Sequence, residues 1–270
     1  MMNALRVIVL ITQIGSLVAA FEPLRLSFEQ METLMKQCGV FPDEKFSTKS
    51  IPLAMHGRLV SNSKAAWAVH LHTEYPGFDT DCGGTLISQH HVLTAAHCFY
   101  PEICANQTLT PKEHDTWLGS WTVYHSGECL PFAEDPCERG QTKAKVAGIR
   151  SVIVPEVFFH STCQQGDIAI VELDAKVLPS AVATPLCLAS VKNRIPKKAV
   201  LAAWGSDEFG EAGDLNRLKG SVFTDVRGYT AFICKYTGVC VDLIPNTNTI
   251  NATSIVSNTN DAIIIHRSIH

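Results

Sequence analysis

The sequence predicts an all-β protein of the antiparallel barrel class. Three observations carry this. Short apolar segments with strand character recur along the chain. Helical periodicity is scarce, and no repeated βα unit is present. The 270 residues carry a net charge of −4 and ordinary apolar content, enough for one large domain or a two-barrel domain with a sizeable core. Mild acidity without a basic stripe gives no footing to nucleic acid.

The N-terminus reads as a secretory signal over residues 1–20. Met1 to Arg6 is a short basic start, Val7 to Val18 is mostly apolar, and Val18-Ala19-Ala20 offers small residues for cleavage. The apolar stretch is too short and too interrupted to span a bilayer, and no later segment is longer, so the expected product is secreted, extracellular and without a membrane span. Ten cysteines suit an oxidising destination. No CxxC pair occurs, which argues against a zinc ribbon or a thioredoxin-type centre. Asn106-Gln107-Thr108 and Asn251-Ala252-Thr253 have the form of glycosylation acceptors.

Residues 21–53 read as a pro-segment, with an N-terminal helix and a linker. Ser27 and Gln30 form a capping box, Phe28, Met31, Met35 and Cys38 fall on one face, and Gly39 ends the helix. Phe41 to Pro52 is polar and proline-flanked, as a linker is. Trp67, Val69 and Leu71 then alternate with Ala68, His70 and His72, a strand pattern. His70 and His72 share a face, yet no third metal ligand is placed by spacing, so they read as rim residues, as do His90 and His91. No metal, calcium, haem or nucleotide motif is apparent, and no cofactor is expected.

An apolar run follows in two pieces, Cys82-Gly83-Gly84-Thr85-Leu86-Ile87-Ser88 and Val92-Leu93-Thr94-Ala95-Ala96-His97-Cys98. The small residues before His97 leave room for its imidazole to face a cleft. Cys82 and Cys98 can staple two neighbouring strands and fix the turn that carries the histidine. Further strands are expected at Trp117–Val123, Lys145–Val154 and Val200–Gly205. Asp167-Ile168-Ala169-Ile170-Val171-Glu172-Leu173 is apolar on both faces, as a buried barrel strand is. Asp167 opens it. A turn-capping aspartate after Gln165-Gly166 accounts for the residue equally well on its own.

Taken together, the His97 and Asp167 segments, in that order, resemble trypsin/chymotrypsin-like serine proteases over about Phe28 to Cys240. The Cys38-Gly39 helix and the Trp-rich middle are similar to the nematode-type branch. The resemblance implies two six-stranded antiparallel barrels with the site between them, His97 as general base and Asp167 as the carboxylate that orients it. It also implies that Cys82 pairs with Cys98 and Cys38 with Cys187. Cys104, Cys129, Cys137, Cys163, Cys234 and Cys240 then remain, with fifteen connectivities open. A peptide or protein is the implied substrate or ligand.

The chain departs from the family where the nucleophile should be. No Gly-Asp-Ser-Gly-Gly segment occurs. Phe232 to Cys240 looks like the approach to that segment, and the resemblance stops there. Ser254, Ser257 and Ser268 follow, none between glycines. The activation end differs too: Arg58 is cleavable, but Ala54-Met55-His56-Gly57 occupies the place of the family's new terminus, preceded by Leu53. The expected layout is a truncated protease domain over 54–242 and a divergent polar tail over 243–270, with the second barrel incomplete after about Leu243. Three functions fit: a non-catalytic secreted homologue that binds a peptide or protein, an active endopeptidase using another serine, or a truncated or alternatively spliced product of a protease gene.

Overall fold

The computed structural model describes residues 22–39, 65–75, 78–104, 117–127, 129–130, 137, 141–195, 202, 224–241 and 262–266. Residues 1–20, Leu53–Arg58, Asn106 and Asn251 lie outside them. Strands β1 (Ala68–Tyr75), β2 (Phe78–Leu86), β3 (His91–Thr94), β4 (Trp121–His125), β5 (Lys145–Pro155), β6 (Ala169–Leu173) and β7 (Ala262–His266) lie in one sheet, in the order β4-β1-β2-β3-β6-β5-β7. An additional β4–β5 pairing closes the first six into an antiparallel barrel. The fold is therefore all-β and trypsin-like. Among the described residues every strand belongs to this barrel or its edge, and the second barrel is incomplete.

Alternation along the strands divides the barrel into two faces. Val69 and Leu71 of β1, Val123 of β4, and Ala169, Val171 and Leu173 of β6 enter the interior cluster. Gly84 of β2 also points inward. A Cβ there would come within 2.9 Å of Val69, Leu71 and Val92 side chains, so the position admits no side chain without repacking. Phe99, Trp117 and Trp121 close one end of this core, with the Phe99 and Trp121 ring centroids 4.7 Å apart. The expected strand over 117–123 begins later, at Trp121. Trp117 and Leu118 form a helical turn, buried with the other aromatics.

A second cluster coats the outside of β3, β5 and β6. Leu93, Ile153, Ile168 and Ile170 meet α1 (Phe28–Gln37) and α4 (Thr230–Thr237), which contribute Leu34, Phe232, Ile233 and Tyr236. Two short helices, α2 (Pro101–Cys104) and α3 (Glu156–His160), cap loops. The two-sided apolarity of the Asp167–Leu173 run thus has a cause: one face fills the barrel and the other sits under helices.

Helix α1 begins at the capping box. The Ser27 hydroxyl accepts the Gln30 N–H, and the Gln30 side chain accepts the Ser27 N–H at 2.8 Å. Its buried face differs from expectation. Leu34 and Cys38 are buried, whereas Phe28 and Met35 are exposed. The tether explains this, because the Cys38–Cys187 disulfide and the Gly39 N–H to Pro185 carbonyl bond fix the helix end and set its roll.

Two further expectations are revised. Phe232–Cys240, read from sequence as the approach to the nucleophile segment, is helix α4 and its αL cap at Gly238, packed beside Leu26. In the tail, read from sequence as polar with weak strand character, Ala262–His266 forms β7 on the edge of β5, from Ser151↔His266 to Pro155↔Ala262.

Candidate functional site

The register of two strands brings His97 and Asp167 together. β3 pairs antiparallel with β6, with Thr94 opposite Ala169. The 3-10 turn Ala96–Cys98 leaves the end of β3 at the point where Asp167 enters β6. Ala96 is fully buried beneath this turn, so its small side chain lets the backbone lie against the core. Cys98 is tied to Cys82 of β2 with the Cα atoms 6.3 Å apart, and the Thr94 hydroxyl donates to the Gly83 carbonyl at 2.8 Å. The turn is thereby pinned on both sides of the histidine.

Asp167 accepts two hydrogen bonds from one residue. The His97 N–H donates to Oδ1 at 2.9 Å, and the ring Nδ1–H donates to Oδ2 at 2.8 Å. A carboxylate only accepts, so Nδ1 carries the proton and Nε2 is the basic nitrogen. The hydrogen bond to Asp167 holds the His97 pKa above its ordinary 6.5, with the carboxylate charge adding to it against partial burial. Burial of Asp167 acts to raise its own pKa. The hydrogen bonds from the His97 side chain and backbone, the His97 charge and the Ala96 backbone outweigh it, and the net shift is downward.

Behind the aspartate, Gly166 adopts φ +72°, and a Cβ there would strike Val157 at 2.6 Å. The Thr224 hydroxyl donates to the Asp167 carbonyl at 2.9 Å. Thr224 had no signal in the sequence, since its partner is remote in the chain. The imidazole side chain is 51% exposed and the carboxylate 30%. This geometry can take up a proton at Nε2 and stabilise the resulting charge.

Nowhere in the 270 residues does a serine lie between two glycines. Ser206, Ser221, Ser254, Ser257 and Ser268 all lie outside the described residues. The remaining cysteines pair as Cys104–Cys163, Cys129–Cys137 and Cys234–Cys240, alongside Cys38–Cys187. Cys82, His97 and Cys98 approach one another, but both sulfurs are in the disulfide and cannot bind a metal as thiolates.

His70 and His72 are not rim residues. They are 5% and 9% exposed, on the outer face of β1. His91 is fully buried, with the Ser88 hydroxyl 2.7 Å from Nδ1. Glu172, also fully buried, accepts the Leu24 N–H at 2.6 Å and the Ser151 hydroxyl. Glu172 thereby fixes the entry to α1, where the Leu24 backbone also lies beside the His91 ring, a role the sequence did not disclose.

Among curated proteins, the chain is 30% identical over 175 residues to mouse serine protease 56, covering 63% of this chain and 24% of that one. It is 27% identical over 158 residues to the suppressor of tumorigenicity 14 protein homolog of Bos taurus (58% and 16%). It is 26% identical over 164 residues to phenoloxidase-activating factor 3 of Holotrichia diomphalia (60% and 44%). The chain spans less than half the length of each. The Trypsin family model matches residues 56–234, from before β1 into α4, and so takes in the barrel, the His97 turn and Asp167. With that match over most of its length, the chain belongs to the trypsin family of serine proteases.

Proposed function

We propose that this chain is a secreted trypsin-family protein that does not hydrolyse peptide bonds and engages a peptide or protein ligand instead. One observation carries the reading. The His97–Asp167 pair is assembled at 2.8 Å, yet the sequence holds no Gly-Asp-Ser-Gly-Gly segment for it to activate. In this chemistry the histidine removes the serine proton, the aspartate fixes the tautomer, and two backbone N–H groups stabilise the oxyanion. The three side chains act as a unit, so loss of the serine alone costs on the order of a millionfold in turnover. The signal-like N-terminus, the five disulfides and the glycosylation acceptors at Asn106 and Asn251 support secretion.

A second reading rests on the integrity of the dyad: the chain is a product of a protease gene that lacks the segment bearing the nucleophile. Reading the transcript around the codons for 196–223 and beyond Cys240 separates the two. An alternative exon encoding Gly-Asp-Ser-Gly-Gly favours the second, and its absence favours a dedicated binding protein. Hydrolysis assays test the shared claim. Peptide and activated ester substrates of broad specificity should show no burst and no turnover that His97→Ala removes. Turnover that falls at least a thousandfold in His97→Ala would mean that an unrecognised serine is at work.

A further inference from the structure

The outer face of β1 carries a second constellation, made of residues other than His97 and Asp167. His70, His72 and Glu74 alternate along one face of the strand. On β2, Asp81 lies directly opposite His72, and Gly83 lies opposite His70. Gly83 has no side chain, so the His70 ring can lean along the pair toward Asp81. One carboxylate oxygen, Asp81 Oδ1, consequently stands 2.8 Å from His70 Nε2 and 2.8 Å from His72 Nδ1. The three donor atoms lie within 4.8 Å of one another. The two rings are nearly parallel, with centroids 6.2 Å apart.

We propose that His70, His72 and Asp81 bind a zinc ion. Two imidazoles and one carboxylate are a donor set that zinc accepts, with a fourth position left for water. The rings are held in place. Tyr124 of β4 sits opposite His70 in the sheet, with its ring centroid 6.1 Å away. The other nitrogen of His72, Nε2, faces the Glu74 carboxylate at 3.2 Å. An outer carboxylate on the far nitrogen fixes the tautomer that presents Nδ1 to a metal and raises its basicity. Asp81 and Glu74 place two carboxylates beside the two rings, which favours a cation.

The metal-free spacing is closer than a loaded site requires. Ligand atoms around tetrahedral zinc stand about 3.3 Å apart, given bonds of about 2.0–2.1 Å. Asp81 must therefore withdraw by about half an ångström. Its side chain is 57% exposed, so it has room to move. The ion would bridge β1 to β2 one residue from Cys82, whose disulfide anchors the His97 turn.

The test is zinc titration of the purified full chain, first stripped with a chelator and then read in competition with a chromophoric indicator. Cobalt substitution provides a visible spectrum of a histidine–carboxylate site. The wild type should bind one equivalent. Glu74→Gln should weaken binding about 10–100-fold, Asp81→Asn by about 100-fold or more, and His72→Ala should abolish it. His90→Ala should leave it unchanged. Asp81 and Glu74 are exposed, so their variants remain folded and the result is readable even if the His72 variant is not. Wild-type affinity no tighter than that of Asp81→Asn, or binding that survives in an Asp81→Asn/Glu74→Gln double variant, would overturn the assignment.

Discussion

At the scale of single residues, two buried or half-buried histidines are pushed in opposite directions. His97 is raised by its hydrogen bond to Asp167. Its NMR titration midpoint should therefore lie above 6.5, and Asp167→Asn should bring it down. A midpoint that ignores Asp167→Asn would mean that the bond is not formed in solution. His91 is lowered to about 3, first by burial and then by the His90 charge. The unfolded chain takes up this proton near 6.5 while the folded one resists it. Stability is thus unaffected above pH 6.5 and falls as pH drops from there toward about 3, by on the order of 5 kcal/mol at the limit. Urea midpoints between pH 7 and 4 should show this loss, and His91→Gln should flatten the slope. His97 and Asp167 were legible in the sequence because each sits in a local apolar motif. His91 and Glu172 were not, because the Leu24 backbone they hold is far away in the chain.

Elements were legible wherever their pattern was local. The capping box placed α1, alternation placed β1, and the doubly apolar run placed β6. What sequence could not set was the partner of an element. The rolled face of α1 follows from the Cys38–Cys187 tether, and Phe232–Cys240 is a covering helix because Phe232 and Ile233 meet the outer wall of the barrel. β7 is the sharpest case. Three isoleucines in a polar tail can join any open edge, and here they take that of β5, where Ile265 packs toward the interior cluster and Ile264 toward the outer one. Ile264→Ala with Ile265→Ala should destabilise the fold by about 2–4 kcal/mol, given partial burial of each. It should also expose the β5 edge to association. An unchanged melting temperature would show that the tail strand is not seated. Opening Cys38–Cys187 by Cys38→Ala with Cys187→Ala releases a closure spanning a sequence separation of 149. The expected loss in urea unfolding is about 3–5 kcal/mol.

For the molecule as a whole, the segments before and after the His97–Asp167 pair converge on one barrel. Leu24–Cys38 and Thr230–Val239 coat the same outer wall, joined by the Leu26 N–H to the Thr237 carbonyl at 2.8 Å. Thr224 bridges that coat to the site by bonding the Asp167 carbonyl. His97 and Asp167 are consequently held by the barrel and its helical coat. Their assembly does not wait on a nucleophile-bearing segment. The His97–Asp167 pair is thus ordered in a sequence that holds no Gly-Asp-Ser-Gly-Gly segment. The direct measurement is the intact mass of the full chain after incubation with a fluorophosphonate probe that modifies activated serines. The account predicts no adduct in the wild type, with His97→Ala indistinguishable from it. One stoichiometric adduct on a serine, absent in His97→Ala, would contradict it.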